Sequence, residues 1–514
     1  MKDTAVLYEK LSGALPPDRI TQRDADLFVY SRDCWPKTIM WTEDGRRPYN
    51  PDAVVFPRNA GEVASVVKAC AELDVPVIPY GGGSGVCGGV VPVKGGVSID
   101  LKAMKSLHGI DPVNLVAEVD AGIMGSHIEE KLNAAGFTLG HFPSSIMCST
   151  VGGWLAARSA GQCSSRYGKI EDMVVGLEAV MADGRIVRIK PPLIHSGGVD
   201  WNAILVGSEG TLGIITKAWL KVRPQPEHQR FLGISFPSLE AGLDAMREVM
   251  QTGLKPAVIR LYDPLDTFIN KLHGSPQDSS LSSLMLDQQA LFSVLMDETA
   301  GAMKLKAMNR MLRRPGIINR LASRLPGAVS MVTIFEGCKP VADAAHDAAV
   351  EIFLRHKGEL KGEEPARYWM KKRYAISFKQ MGVFRSGSVV DTMEVSAPWE
   401  QVPQIYHAVR KNLTSLAYVM CHFSHAYHDG CALYFSFATA AAERDAMYDR
   451  YDKVWSTALS TVQENGGTLS HHHGVGLSKS GLMLAEQGSL LGVFGSLKQR
   501  MDEPGIMNPS KLGL

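Results

Sequence analysis

Three consecutive histidines, His471, His472 and His473, stand in "SHHHGVG" near the end of this 514-residue chain. Imidazoles titrate near neutral pH, so such a run can trade protons, orient a substrate or bind a metal. In an extended backbone His471 and His473 face one way and His472 the other. No acidic residue stands close by in sequence to complete a ligand set, which argues against a metal. Solvated loop histidines are the bland alternative. The run is read as an acid/base and substrate-orienting cluster. Tyr434, in "CALYFSFA" (431–438), is the second candidate. A period of two puts Cys431, Leu433, Phe435 and Phe437 on one strand face, and Ala432, Tyr434, Ser436 and Ala438 on the other. Tyr434 then stands alone among small neighbours, as a side chain reaching into a cavity does; a core aromatic is the competing reading. A phenol of pKa about 10 is a poor base at neutral pH unless cations lower it. Imidazolium from His471–His473 is the expected source of that charge.

Glycine-rich loops form a second group of chemistry-bearing residues. "VPVIPY" (75–80) reads as a buried strand and runs into "GGGSGVCGGVVPVKGG" (81–96), where regular structure is excluded. The loop leads to a strand, not a helix, so the dinucleotide fingerprint fails. Three further stretches follow: "PSSIMCSTVGGWLAARSAG" (143–161), "SSRYGKIEDMVVGLEAVMADG" (164–184) and "GSEGTLGIITKAWLKVRPQPE" (207–227). In this order the four resemble the PCMH-type FAD-binding domain of the vanillyl-alcohol-oxidase-type flavoproteins, over residues 46–226. The resemblance implies that FAD is surrounded by Pro79, Tyr80, Gly81, Gly82, Gly83, Ser84 and Gly85 of the first loop. Ser144, Ser145, Ile146, Met147, Cys148, Ser149 and Thr150 come from the second stretch, with Ala157, Arg158, Ser159 and Ala160 further along it. Glu209, Gly210, Thr211, Leu212, Gly213, Ile214 and Ile215 close the set. Rows of backbone N–H with Ser and Thr hydroxyls suit a pyrophosphate. Covalently flavinylated relatives place a His in the first loop; none is there, so non-covalent FAD is expected, with Cys87 a spectator thiol.

A flavin domain does not by itself name a reaction. The D-2-hydroxyacid dehydrogenases (lactate, glycolate) carry a metal set of two histidines in Gly-Asp-Gly-Asn-Leu-His and a Glu in Glu-His-Gly. Here "SHAYHDGCALYFSFA" (424–438) offers Tyr434 in place of the second His, and "GGTLSHHHGVG" (466–476) offers His472 in place of the Glu. Those two stretches, with "KPAVIRLYD" (255–263), "TIFEG" (333–337) and "VSAPW" (395–399), resemble the alkyldihydroxyacetonephosphate synthase family. The resemblance implies an ether-lipid reaction, in which the acyl group of acyl-dihydroxyacetone phosphate is exchanged for a long-chain fatty alcohol. FAD is then not a net redox agent, and its N5 forms an adduct at the substrate C1. It also implies that Tyr434 handles the C1 proton, that Arg260 is important for activity, and that the chain is a homodimer. Gln380 falls where the family has its phosphate-binding arginine, with Lys379 and Arg385 close enough to supply the charge. A metal-free D-2-hydroxyacid dehydrogenase is the alternative, and a flavin-binding subunit without catalysis a weaker third.

The elements that must position these residues follow from periodicity. "GEVASVVKACAELD" (61–74) reads as an amphipathic helix between strands "DAVVFP" and "VPVIPY", and "SHIEEKLNAAG" as a helix stopped at Gly136. After Pro224, strand and helix patterns recur at 230–264 and 331–358, the outline of a second α+β domain. The expected fold class is α+β: an N-terminal segment (1–45), an FAD-binding domain of two subdomains (46–224), a substrate or cap domain (225–455), and a C-terminal helical segment (456–514) around the histidine run. Residues 301–326 carry seven Lys or Arg and no acid, interleaved with Met, Leu and Ile. This basic amphipathic stretch suits peripheral contact with an anionic membrane, or a solvated helical face. A net charge of +1 argues against a general nucleic-acid partner. The eight cysteines show no C-x-x-C spacing, as expected of free thiols in a reducing compartment. The N-terminus has no long apolar run, so neither signal peptide nor transmembrane span is expected. Ser510-Lys511-Leu512 is followed by two residues, so it is not a terminal peroxisomal signal, and the expected place is cytoplasmic.

Overall fold

The computed structural model describes residues 4–189, 198–267, 302–322, 327–374, 383–384 and 386–514. Its chain divides into two compact units: 1–161 with 168–225 and 472–514, and 162–167 with 226–471. The chain passes from the second unit back to the first between His471 and His472.

The first unit holds two sheets. The four-stranded one runs Ile20–Thr21, Ala53–Val55, Val97–Asp100, Val77–Tyr80, with the last three parallel. The helix Ala60–Glu72 makes the crossover from Ala53–Val55 to Val77–Tyr80, the two strands that flank Val97–Asp100. Asn59 caps that helix by accepting the Glu62 N–H, and Val63, Val66, Val67 and Cys70 form its buried stripe. The five-stranded antiparallel sheet runs Leu107–Asp111, Val116–Asp120, Ile214–Lys221, Val174–Val180, Ile186–Ile189. The helix Gly125–Ala134 stops as expected: Gly136 takes φ +83°, a left-handed conformation that a side chain resists.

The second unit is built on one seven-stranded antiparallel sheet. Its order is Glu359–Leu360, His228–Phe236, Val329–Gly337, Val258–Tyr262, Tyr418–Ala426, Gly430–Thr439, Val389–Pro398. Helices Leu239–Gln251, Lys339–Arg355, Val402–Leu413 and Arg444–Glu464 belong to the same unit. The expected alternation in the Gly430–Thr439 strand holds over 433–437, where Leu433, Phe435 and Phe437 are buried and Tyr434 and Ser436 half-buried; Ala432 and Ala438, on the same face as Tyr434, are buried like Cys431. The histidine run is not helical. Residues 465–479 form turns between Arg444–Glu464 and the next helices, because Gly466, Gly474 and Gly476 take positive φ. The basic stretch folds into helices Ala302–Leu312 and Pro315–Ala322; residues 301 and 323–326 lie outside the described residues. Among the described residues no helix is long and apolar enough to cross a membrane.

Candidate active site

In the first unit, close backbone approach brings together three of the glycine-bearing stretches, the first loop with 143–161 and 207–227. A Cβ on Gly82 would fall 1.9 Å from the Cys148 carbonyl oxygen, and one on Gly81 2.4 Å from Thr150 Oγ1. The loop 79–85 therefore lies directly on 148–150. Gly210, at φ +75°, would place a Cβ 2.7 Å from the Pro79 ring, and Gly207, at φ +86°, one 2.6 Å from the Arg158 side chain. The Glu209 N–H donates to the Ala156 carbonyl at 3.1 Å, holding 207–227 against 143–161. Thr150 caps the helix Val151–Ala156 by accepting the Gly153 N–H at 3.3 Å. The glycines thus let these loops pack backbone to backbone where any side chain would obstruct them, a cradle of glycine loops of the kind that suits the pyrophosphate of a dinucleotide.

Not every residue expected at the cofactor presents its side chain there. Leu212 and Ile214 are fully buried in the core, so their backbone alone is available to a ligand. The Glu209 carboxylate is turned to the C-terminal stretch, accepting the N–H of Val475 at 2.5 Å and of Gly476 at 2.9 Å. Burial raises its pKa, and those two N–H groups oppose the rise. Glu209 therefore fixes the loop that follows His472 and His473, whose rings meet edge-on at 4.5 Å. Sequence reasoning missed Asp33 altogether. Its buried carboxylate accepts the N–H of Trp35 at 3.0 Å and of Gly88 at 2.9 Å, and a Cβ on Gly85 would lie 3.2 Å from Oδ2. Burial pushes its pKa up to about 7.

In the second unit, register builds a polar row across four neighbouring strands. Tyr262 pairs with His422, His422 with Tyr434, and Tyr434 with Glu394. Paired residues of antiparallel strands share a face, and Arg260 joins it two positions from Tyr262. The opposite face carries Leu261, Phe423, Leu433 and Val395, all fully buried. The His422 ring stacks on Tyr434 with centroids 4.6 Å apart, and Arg260 Nη2 donates to His422 Nε2. With Nε2 an acceptor, the ring proton sits on Nδ1, 3.8 Å from the Asp266 carboxylate. Burial, then the charge of Arg260, holds the His422 pKa well below the usual imidazole range, so this ring is neutral at pH 7.

Tyr434 Oη donates to Thr392 Oγ1 at 3.0 Å. Its pKa is raised, not lowered as expected: burial dominates, while the Thr392 hydrogen bond and the Arg260 charge oppose it. The imidazole against it is neutral His422, and the nearby cation is Arg260. His471 takes a different place. Its N–H donates to Glu394 Oε2 at 2.8 Å, and the Ser470 hydroxyl donates to Oε1 at 2.8 Å. Its Nε2 lies 3.0 Å from Tyr427 Oη, which continues to Ser164 Oγ at 3.2 Å and from there to His425 Nδ1 at 2.7 Å. Within the second unit, then, Arg260, Tyr434 and His471 are linked through His422 and Glu394. Gln380, with Lys379 and Arg385, lies outside the described residues. Among the described residues no cluster of three or more His, Cys, Asp or Glu is placed to hold a metal ion.

His422 and Glu394 were also missed, although one local signal existed for the histidine. In "YVMCHFSHA" the period of two puts Met420, His422 and Ser424 on a face opposite Cys421 and Phe423.

Comparison with known proteins follows the same division. Residues 51–190 match the FAD binding domain family, and residues 225–512 match the C-terminal domain of FAD linked oxidases. The chain is 31% identical over 474 residues to the alkyldihydroxyacetonephosphate synthase of Dictyostelium discoideum, covering 90% of this chain and 73% of that protein. The enzyme of the same name from Trypanosoma brucei brucei is 30% identical over 476 residues, again 90% of this chain and 73% of the relative. A solved alkyldihydroxyacetonephosphate synthase structure superposes with a TM-score of 0.78 at 25% identity, covering 98% of this chain and 86% of the other.

Proposed function

The chain belongs to the alkyldihydroxyacetonephosphate synthase family and is an FAD-dependent enzyme of that type, and from this premise we infer that it exchanges the acyl group of an acyl-dihydroxyacetone phosphate for a long-chain alcohol. The observation that carries the reading is the polar row of Arg260, His422, Tyr434 and Glu394, which has a phenol where a 2-hydroxyacid dehydrogenase would have a metal-binding histidine. FAD, held without a covalent bond on the glycine cradle, supplies nucleophilic catalysis at the substrate carbon with no net electron transfer. In the exchange the bond from C1 to the acyl oxygen breaks and the bond from C1 to the alcohol oxygen forms. The fatty acid leaves with both its oxygens.

Tyr434 holds the proton exchanged at C1. Burial keeps the phenol protonated at rest, and the Arg260 guanidinium favours the phenolate as the proton leaves. Neutral His422 receives the Arg260 hydrogen bond and so aims that charge. Arg260 is also the described cation suited to a substrate phosphate, with Gln380 and its neighbours the second candidate site for that group. His471, fixed by Glu394, and the adjoining His472 and His473 orient the substrate. The reading includes a homodimer and peripheral membrane contact through 301–326, which suits two long-chain substrates.

The test is ether formation. Flavin-loaded protein is incubated with palmitoyl-dihydroxyacetone phosphate and hexadecanol, and the alkyl product is sought by mass spectrometry. Tyr434→Phe removes the exchangeable proton and is expected to slow formation at least about 100-fold, the usual reach of one general acid–base group. Product formation unchanged in Tyr434→Phe overturns the assigned role. No ether, together with lasting flavin bleaching by a D-2-hydroxyacid, overturns the reaction itself.

A further inference from the structure

The basic stretch does more than present charge to solvent. Lys306, Arg310 and Arg313 recur at i, i+4 and i+7 of the helix Ala302–Leu312 and the turn after it, and so share one face. Met308 and Leu312 bury the other. The cationic face lines a cleft of about 430 Å³, whose remaining walls are Ser386, Gly387 and residues 441–444 with Met447. Arg444 adds a fourth cation, and Glu443 is the lone carboxylate among the described lining residues. The first turn of the 21-residue helix Arg444–Glu464 forms part of the wall, so its positive dipole end adds to the field.

The walls are tied together. Asn309 Nδ2 donates to Ser388 Oγ at 3.3 Å, and Arg450 Nη1 donates to the Arg313 carbonyl at 3.4 Å as well as to the Ala440 carbonyl at 2.5 Å. The cleft stands apart from the polar row: Tyr434 to Thr439 alone spans about 16 Å at roughly 3.3 Å per strand residue.

We propose that this cleft binds a phosphate group, as a soluble phosphate monoester or as the head group of an anionic phospholipid. Four cations around one concavity repel one another, and a bound phosphate relieves that repulsion. Guanidinium forks match phosphate oxygens two at a time, and the cleft offers three arginines with one lysine. Neutralising the four cations within the walls would take three carboxylates more than the one that the described lining holds. The site does not depend on the exchange reaction inferred above.

The test uses full-length, flavin-loaded protein in two arms. In the first, glycerol 3-phosphate and inorganic phosphate are titrated calorimetrically. In the second, co-sedimentation with phosphatidylglycerol vesicles is compared with phosphatidylcholine vesicles. The Arg310→Ala/Arg313→Ala variant is expected to bind roughly tenfold or more weakly in whichever arm the wild type responds. Arg314→Ala/Arg320→Ala removes the same charge from the same basic stretch but outside the cleft, and is expected to leave binding unchanged. Arg260→Ala leaves the cleft event in place, separating it from any phosphate bound at the polar row. A saturable, cleft-dependent response to the soluble phosphates identifies a monoester site. A cleft-dependent response to phosphatidylglycerol alone identifies the head group. Equal losses in the two double variants mean adhesion by charge only and overturn the proposal, as does a wild type that binds in neither arm. Flavin absorbance and melting temperature, unchanged in each variant, show that the fold is intact.

Discussion

Replacing Asp33 by Asn removes a carboxyl that is buried beside the first glycine loop, with its pKa pushed from an ordinary 3.8 up to about 7 by burial. Backbone N–H groups of Trp35 and Gly88 pull it down only in part. Above pH 3.8 the unfolded chain releases this proton, whereas the folded chain keeps it until about pH 7. In that window the folded state binds more protons, so stability is greatest below it and falls as pH rises, flattening above about 7. The gap between 3.8 and about 7, at about 1.4 kcal/mol per pH unit, amounts to about 4 kcal/mol. Roughly 2 kcal/mol of that falls between about pH 5 and pH 7. For a unit of this size, about 2 °C of melting temperature accompanies each kcal/mol. Melting curves of wild type and Asp33→Asn, taken from pH 5 to pH 8, are therefore expected to diverge. The variant gains about 4 °C on the wild type between pH 5 and pH 7, and nothing more above it. Parallel pH profiles would refute the buried, late-titrating carboxyl.

Two further substitutions probe the cradle and the polar row. Gly82→Ala would place a methyl 1.9 Å from the Cys148 carbonyl, so the two loops must separate and the purified protein is expected to lose its flavin absorbance; a yellow Gly82→Ala protein with unchanged FAD affinity contradicts the cradle. Glu394→Gln replaces one of the two acceptors serving Ser470 and His471 by an NH₂ group, at a cost of about 1–3 kcal/mol in stability, with turnover reduced alongside; calorimetry and initial rates check both.

Local patterns in the chain carried the elements well, and long-range partners did not. The alternation of "CALYFSFA" was enough to put Tyr434 opposite a buried apolar face, because a strand's two faces are set by its own sequence. Gly136 likewise announced the end of its helix. The close packing of the first glycine loop with 143–161 and 207–227 was implied only by the resemblance, since each loop lacks a side chain that could name its neighbour. Asp33 meets Gly88 55 residues away, and Glu209 meets Val475 across 266, so neither carboxylate's use was visible in its surroundings. The sign of the Tyr434 shift was misread for the same reason. The nearest histidines by motif are 471–473, but strand register brings His422 onto the ring, and burial keeps that imidazole neutral. The histidine triplet looked like one cluster, yet its backbone spans the point where the chain leaves the second unit for the first.

The central claim is a group exchange at one carbon without net electron transfer. Its most direct test supplies hexadecanol labelled with oxygen-18 and palmitoyl-dihydroxyacetone phosphate to the flavin-loaded enzyme without oxygen, following the flavin spectrum throughout. The account predicts an alkyl product that retains the label in its ether bond, one palmitate released per ether, and a flavin spectrum that ends as it began. Unlabelled product, or a flavin left reduced in proportion to substrate consumed, would contradict it.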